Sequence, residues 1–204
     1  MRFEPPRIVA VSGPPGSGKS TLARALAQRL GGAPVVSYDD HERITASPPG
    51  EIKAWLGRGA PISEIPVPGL REELLRRRSQ ASAQTPFVVL DTLVGRAHPA
   101  TEGLVDLMVW IALPLDLALA RKVRRVVAAV RTAPGRRDFE RLADWLDTYL
   151  GHYTDFVHDA YLQQEERIAP EADLSVDGLT AAPILADLVA SEIRRRFPQE
   201  RPNR

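Results

Sequence analysis

The chain of 204 residues contains no cysteine. Structural disulfides, zinc fingers, iron–sulfur clusters and thiol catalysis are therefore excluded. The chain also lacks an excess of charge of either sign, since 27 Lys and Arg stand against 26 Asp and Glu and leave a formal net charge of +1. A charge this close to zero removes the long-range attraction that would favour nucleic acid or an anionic membrane as the main partner.

Long apolar runs are missing as well. The longest of them, such as residues 107–113, are about as long as a β-strand and far short of the ~20 residues that a membrane helix needs. Residues 1–6 contain no apolar segment of signal-peptide length. We therefore expect a soluble, cytoplasmic protein with neither a membrane nor a nucleic acid as partner.

The length and the hydrophobic content of 44% fit one domain with a sizeable core. Short apolar, β-branched runs alternate with helical patterns, and this alternation is typical of a parallel α/β sheet. Strands are predicted at residues 7–12, 35–37, 87–90, 107–113 and 174–176. Helices are predicted at residues 19–30, 114–130, 139–157 and 180–196. The domain should cover residues 1–198, with 199–204 as a frayed tail.

The segment 46–70 departs from this rhythm because it contains five prolines and several glycines. Proline at this density disfavours long helices and central strands. Loops longer than ~12–15 residues in compact domains usually have a function or are disordered. We interpret the segment as a lid that covers the substrate, with a surface excursion as the alternative.

A glycine-rich motif follows the first predicted strand. Residues 13–20 satisfy G-x-x-x-x-G-K-[ST] at every fixed position, between a buried strand and an amphipathic helix. Its glycines let successive N–H groups converge on an anion, and the positive end of the helix reinforces the effect. Lys19 can reach the terminal phosphoryl oxygens of a nucleotide, and the Ser20 hydroxyl can bind Mg²⁺. The predicted cofactor-binding residues of this loop are Gly13, Pro14, Pro15, Gly16, Ser17, Gly18, Lys19, Ser20 and Thr21.

Motifs that are missing narrow the class of nucleotide-binding protein. The chain has no Asn-Lys-x-Asp element, which a GTPase would use to recognise guanine, and no Leu-Ser-Gly-Gly signature of transporter ATPases. A small phosphotransferase remains. Phosphoryl transfer depends mostly on positioning and charge stabilisation, and one carboxylate suffices to accept the proton of the attacking hydroxyl.

The stretch Ser37-Tyr-Asp-Asp-His-Glu-Arg43, just after the second strand, resembles the acidic element of the uridine kinase family of P-loop kinases. Relatives of this family are phosphoribulokinase, type I pantothenate kinase and nicotinamide riboside kinase, and the similarity covers most of the chain. The resemblance implies a five-stranded parallel sheet in the order 2-3-1-4-5 with helices on both faces. It also implies ATP and Mg²⁺ as cofactors and a small-molecule hydroxyl as the phosphoryl acceptor.

The resemblance assigns the catalytic base to this acidic element. Only one of two adjacent carboxylates can point into a site from an extended segment. Alignment favours Asp39, which also becomes a substrate contact, and Asp40 is the substitute. Capping of the following helix by both residues is the structural alternative.

A carboxylate also ends the third predicted strand. Asp91 has the position of a Walker B acid, which holds Mg²⁺ directly or through water, although the family usually has Glu-Gly where this chain has Asp91-Thr92. Arg96 and His98 follow shortly afterwards. Ligands of open α/β sheets collect at the carboxyl ends of strands, so both are candidate substrate contacts.

The segment 115–125 resembles the part of the family that leads into a mobile, arginine-bearing lid, here placed at about residues 121–140. Arg121 and Arg125 are the best positional matches for arginines that close over the phosphoryl group, and Arg121 could stack on adenine. Arg136 and Arg137 could equally swing in. Asp177 and Gly178 resemble the family's turn whose main chain contacts adenine.

The sequence therefore predicts an ATP-dependent kinase that transfers the γ-phosphoryl group to a hydroxyl of a nucleoside, vitamin or sugar. A homodimer is an open option. One alternative is a nucleoside monophosphate or gluconate-type kinase, which would place a phosphate- or polyol-contacting cluster at Arg43, Arg58 or Arg71. The other is a non-catalytic regulatory protein that binds ATP.

Overall fold

Five parallel strands form one sheet in the order β2-β3-β1-β4-β5. The structure is a computed structural model that describes residues 6–80, 85–132 and 136–198. The predicted order is confirmed, and the predicted strands agree with the observed ones within two residues. The strands are β1 (Arg7–Ser12), β2 (Val35–Ser37), β3 (Phe87–Asp91), β4 (Val105–Ala112) and β5 (Leu174–Asp177).

Seven α-helices within the described ranges cover both faces of the sheet. They are α1 (Lys19–Arg29), α2 (Pro49–Gly57), α3 (Leu70–Gln80), α4 (Leu115–Thr132), α5 (Arg136–His152), α6 (His158–Ile168) and α7 (Ala182–Arg196). A π-helical turn, Tyr153–Val157, joins α5 to α6, so the helix predicted to end at residue 157 continues beyond it. None of these described helices is both long and apolar enough to cross a bilayer.

Strand β1 shows why the sheet has a hydrophobic layer on each face. Successive side chains of a strand point to opposite sides. Val9 and Val11 accordingly pack with apolar side chains of α1 and α7, whereas Ile8 and Ala10 pack with those of α2 and α3. All four are fully buried. Burial of a side chain the size of Val or Ile contributes about 1.5–3 kcal/mol, so the two layers hold the strand ends in fixed positions.

The proline-rich segment 46–70 is folded onto the sheet rather than extended over the surface. Pro48 and Pro49 stand at the start of α2, where proline's fixed φ angle favours a helix and its missing N–H costs nothing. Trp55, Ile62 and Ile65 are buried in the same hydrophobic cluster as the residues of α3. The surface excursion is therefore wrong, because these side chains anchor the segment to the core. Its role in covering a substrate stays a prediction.

The apolar stripe of α4 is less buried than the sequence pattern indicates. Leu115, Leu119, Val123, Val126, Val127 and Val130 are only partly buried, and Ala118 is the buried residue of this helix. The stripe packs partly against α5 instead of the sheet. Residues 121–132, predicted as part of a lid, therefore lie in one regular helix, while residues 133–135 are outside the described ranges.

Candidate nucleotide and acceptor site

Three chain segments meet at the carboxyl edge of the sheet. Strand β1 leads into the glycine-rich loop, and Asp91 ends β3 beside it, opposite Val11 of β1 and Ser37 of β2. A 3₁₀ turn, Tyr38–Asp40, follows β2 directly. Because parallel strands end at the same edge, the predicted residues Lys19, Asp39 and Asp91 are brought together.

The glycine-rich loop has a shape that side chains would block. Gly16 has a φ angle of 95°, and a Cβ atom there would overlap the carbonyl oxygen of Ala118 in α4. Gly18 has a φ angle of 103° and stands directly before α1. Such positive φ angles are unfavourable for residues other than glycine. The loop therefore lies closely against α4 and turns sharply into α1.

The start of α1 is built to receive an anion. No side chain caps this helix, and the N–H groups of its first turn, at Lys19 and Ser20, have no intrahelical acceptor. The hydroxyl of Ser17 is buried and has no hydrogen-bond partner among the residues described. Lys19 Nζ donates to the Pro14 carbonyl oxygen at 3.2 Å. A polyphosphate fits these unused donors and the positive helix end.

Burial and neighbouring charges shift the pKa values of Lys19 and Asp91 at this edge of the sheet. Burial lowers the pKa of Lys19, and the nearby carboxylates of Asp91 and Asp39 partly offset this effect. Burial likewise raises the pKa of Asp91, against the hydrogen bond from Ser20 and the charge of Lys19. Both charged groups are thus poorly solvated. Charges of this kind interact strongly with a ligand that brings phosphates and a cation.

The structure distinguishes the two adjacent carboxylates. Asp39 is among the groups that shift the pKa of Lys19, Asp91 and Tyr161. Asp40 is not among the groups that shift these three pKa values. Its backbone carbonyl instead accepts a hydrogen bond from Arg43 Nη1 at 3.1 Å. Of the two carboxylates, the charge of Asp39 is therefore the one that acts on Lys19 and Asp91.

The predicted metal-binding residues fit a cation that arrives with the nucleotide. Within the described ranges, no group of three or more His, Cys, Asp or Glu side chains could form a metal centre by itself. The Ser20 hydroxyl donates to the Asp91 carboxylate, so the two oxygen donors are adjacent. Mg²⁺ prefers oxygen ligands and usually takes most of them from substrate phosphates and water. Ser20 and Asp91 fit this requirement.

A cavity of about 340 Å³ lies beside the glycine-rich loop, between α4 and the turn after β5. Arg121 Nη1 donates to the Gly178 carbonyl oxygen across it at 2.9 Å. Asp177 accepts the N–H of Leu179 at 2.9 Å, and this bond holds the turn. Arg121 and Gly178, both predicted as nucleotide contacts, thus line one pocket with Gly16. Asp177 shapes the pocket through its turn.

The basic residues of the predicted lid point in different directions. Arg125 lines the same cavity as Arg121 and is among the charges that lower the pKa of Lys19. Arg124 is exposed. The side chains of Arg136 and Arg137 lie outside the described part of the structure, so their predicted approach stays a prediction. Arg121 and Arg125 are the predicted arginines that the structure brings to the loop.

Arg96 does not reach this edge of the sheet, contrary to its prediction as a substrate contact. Its guanidinium donates to the carbonyl oxygens of Val105 and Asp106, at the beginning of β4, and to the Asp173 carboxylate. The chain turns back after β3, which carries Arg96 to the amino end of the strands. There it fixes the start of β4 and of β5.

His98 is also placed in a structural role rather than in the predicted substrate contact. The ring is buried, with 5% of its surface exposed. Nδ1 accepts the N–H of Ala100 at 2.9 Å, so Nε2 carries the hydrogen and donates to the Ile65 carbonyl oxygen at 2.9 Å. Both nitrogens are therefore used, and the ring fastens the segment 46–70 to the loop after β3.

Replacing His98 by alanine should lower the free energy of unfolding by about 2–4 kcal/mol, because two buried hydrogen-bonding groups lose their partner. Denaturant unfolding measures this change. Replacing His158, whose side chain is 44% exposed, should cost less than about 0.5 kcal/mol and serves as the control. A stable His98→Ala variant with impaired substrate binding would restore His98 as a substrate contact.

Three residues of the site were not predicted from the sequence. Lys122 is among the charges that lower the pKa of Lys19. Tyr149 and Tyr161 are the other two, and burial raises the pKa of Tyr161, with smaller effects from Tyr149, Tyr153 and Asp39. Tyr149 lies in the helix predicted at residues 139–157, and Tyr161 lies beyond its predicted end. Their approach to Asp39 depends on how α5 and α6 fold back over the sheet, for which the sequence carries no local signal.

Comparison with known proteins gives one matching family model and two curated relatives. Residues 1–197 match the family model of the AAA ATPase domain. A shikimate kinase from Corynebacterium efficiens is 33% identical over 132 residues, which make up 62% of this chain and 68% of that protein. A cytidylate kinase from Methanocella arvoryzae is 30% identical over 115 residues, 56% of this chain and 60% of that protein.

A solved structure described as a possible uridine kinase from Bacillus stearothermophilus is 17% identical and covers 87% of this chain and 91% of that one, with a TM-score of 0.46. The two curated relatives are kinases of two different kinds and do not single out the uridine kinase family. The chain belongs to the AAA ATPase domain family, and its curated relatives are P-loop kinases of small molecules.

Proposed function

We propose that the chain is an ATP-dependent kinase that transfers the γ-phosphoryl group to a hydroxyl of a small molecule. The observation that carries this proposal is the position of Asp39. Its carboxylate acts on the charges of both Lys19 and Asp91 across the end of the glycine-rich loop. A protein that binds the nucleotide without catalysing a reaction needs no second carboxylate there. A kinase needs one to accept the proton of the attacking hydroxyl.

Each residue of the site has a distinct task in this reaction. The N–H groups of the loop and Lys19 hold the β- and γ-phosphates, and Arg121 lines the pocket for adenine. Ser20 and Asp91 hold Mg²⁺, which supplies positive charge to the phosphate oxygens when it is bound. Asp39 orients the acceptor hydroxyl and takes its proton. Arg125 adds positive charge where negative charge develops.

The hydroxyl acceptor is favoured over a phosphate acceptor by the partners of three arginines. Arg58 forms an ion pair with Glu64 at 2.6 Å. Arg71 donates to the carbonyl oxygens of Pro99 and Glu102. Arg43 donates to the backbone of residues 40 and 42. All three are thus engaged within the protein and do not converge on a common point, as a nucleoside monophosphate or gluconate-type kinase would require.

An acceptor panel tests the proposal. The protein is incubated with ATP, Mg²⁺ and one candidate at a time, and ADP release is followed. The panel contains uridine and other nucleosides, pantothenate, nicotinamide riboside, sugars, shikimate and, for the phosphate-acceptor alternative, cytidine monophosphate. We expect a hydroxyl compound to stimulate ADP release at least tenfold over the rate without acceptor. Stimulation by cytidine monophosphate alone would refute the hydroxyl acceptor.

The AAA ATPase domain match favours one alternative, an ATPase that hydrolyses ATP with no small-molecule acceptor. The same panel separates the two functions. An ATPase would release ADP at the same rate with every compound and with none. In that case Asp39 would orient water rather than a substrate hydroxyl, and the kinase proposal would be wrong.

A further inference from the structure

The ammonium group of Lys122, in α4, is held in place by an aromatic ring. Its Nζ lies 4.2 Å from the centre of the Tyr149 ring, close enough for a cation–π interaction. Tyr149 stacks in turn on Trp145, with ring centres 4.9 Å apart and planes 4° from parallel. We call these two aromatic residues of α5 the aromatic platform. It restricts a side chain that otherwise rotates freely.

The helix that carries Lys122 touches the glycine-rich loop itself. The carbonyl oxygen of Ala118 stands where a Cβ atom of Gly16 would be. In an α-helix that carbonyl accepts the N–H of the residue four positions later, which here is Lys122. Residues four apart lie on the same helix face. Lys122 thus stands one turn beyond the contact with the loop, on the loop's side of α4.

The charge of Lys122 is not neutralised within the described ranges, where no carboxylate lies within 4.0 Å of its Nζ. Lys53 provides the contrast. It lies 5.7 Å from the centre of the Phe156 ring, but it also pairs with Asp155 at 3.2 Å. A cation held over a ring and left without a carboxylate can serve an anionic ligand. The charge of Lys122 is among those that lower the pKa of Lys19, which agrees with a position of Lys122 beside the glycine-rich loop.

We propose that Lys122 is a catalytic residue that contacts the γ-phosphoryl group of the nucleotide, and that the aromatic platform positions it. The inference rests on the proposed function for its catalytic part. Arg121 is already bonded to Gly178 in the neighbouring pocket, so the two adjacent cations of α4 divide the nucleotide between them. Arg121 serves the base end, and Lys122 serves the terminal phosphate.

Turnover and nucleotide binding test Lys122 separately. Lys122→Met should lower kcat at least 100-fold and leave the affinity for ADP within about threefold, because ADP lacks the contacted group. Lys122→Arg should recover part of kcat. Lys53→Met is the matched control, since it removes a lysine from a ring elsewhere, and it should keep full activity. A kcat of Lys122→Met within threefold of the wild-type value would overturn the proposal.

Two variants of Tyr149 test whether the aromatic platform positions Lys122. Tyr149→Leu should lower kcat about tenfold and leave the KM for ATP unchanged. Tyr149→Phe keeps the ring and should retain kcat. A purely structural role of Tyr149 would instead reduce the thermal midpoint and kcat equally in both variants. That result would remove the platform from the proposal.

Nucleotide binding tests the proposal for Lys122 separately from the proposal that the protein is a kinase. Calorimetric titration with ATP and with ADP needs no acceptor. We expect the wild type to bind ATP more tightly than ADP, and Lys122→Met to lose most of that preference. If the acceptor panel fails and the preference is still lost, Lys122 contacts the γ-phosphate of an ATPase. If the variant keeps the full preference, the contact is absent.

Discussion

Replacing Asp39 by asparagine should lower kcat by about 100- to 10,000-fold, the range that loss of a general base produces. The affinity for ATP should stay within about twofold, since Asp39 does not line the pocket beside Gly178. Asparagine keeps the size of the side chain and a hydrogen-bond acceptor, so the acceptor can still bind. Steady-state kinetics with the best acceptor, together with ATP titration, measure both quantities.

Asp40→Asn is the matched control for this prediction. Asp40 is adjacent, equally exposed and carries the same charge, but it is not among the groups that shift the pKa of Lys19 or Asp91. Its kcat should remain within about threefold of the wild-type value. Reversed results in the two variants would make Asp40 the base, and unchanged turnover in both would show that neither carboxylate takes the proton.

The second large effect is expected for Lys19→Met, which should reduce kcat at least about 100-fold and weaken ATP binding more than ADP binding. Lys19 is the one residue of the loop whose charge can reach the terminal phosphates. The thermal midpoint should not fall, because burial disfavours the charged ammonium and methionine fills a similar volume without charge. Kinetics, nucleotide titration and a thermal scan give the three values.

Lys122→Met is a useful comparison for Lys19→Met, since both remove an ammonium at the same end of the nucleotide. Lys19→Met should weaken the binding of both nucleotides as well as turnover, whereas Lys122→Met should lower turnover and the preference for ATP but leave ADP binding nearly unchanged. Full ATP binding and turnover by Lys19→Met would mean that the glycine-rich loop is not the phosphate site. The whole functional assignment would then fall.

The sheet could be predicted from the sequence because its information is local. Each strand is a short β-branched run, whereas the order of the strands came from the resemblance to the uridine kinase family. The segment 46–70 was harder. Its prolines conceal α2, since proline opposes a helix everywhere except in the first turn, which is where Pro48 and Pro49 stand. Only the burial of Trp55 shows that this helix belongs to the core.

Site residues could be predicted where a sequence motif indicates both their place in the fold and their chemical role. The loop residues, Asp39 and Asp91 follow strands directly, so the topology brings them together. Arg96 and His98 follow β3 as well, but the chain turns away within a few residues, and no local pattern indicates that turn. Lys122 was overlooked because neighbouring arginines matched the family pattern, and only its contact with Tyr149 distinguishes it.

The π-helical turn between α5 and α6 holds one residue more than the same stretch of regular α-helix would, and this extra residue sets the direction in which α6 faces. Tyr149 and Tyr161 are twelve positions apart, and in a regular α-helix they would point about 120° away from each other. One extra residue in a wider turn brings this to about 20°, so the two side chains face the same side, and Tyr153 lies between them with its ring centre 6.2 Å from that of Tyr149 and 6.4 Å from that of Tyr161. A one-residue deletion among Tyr153–Val157 would remove that extra residue and keep the facing of α6, whereas a one-residue insertion there would rotate α6 by about 100° and turn Tyr161 to another side.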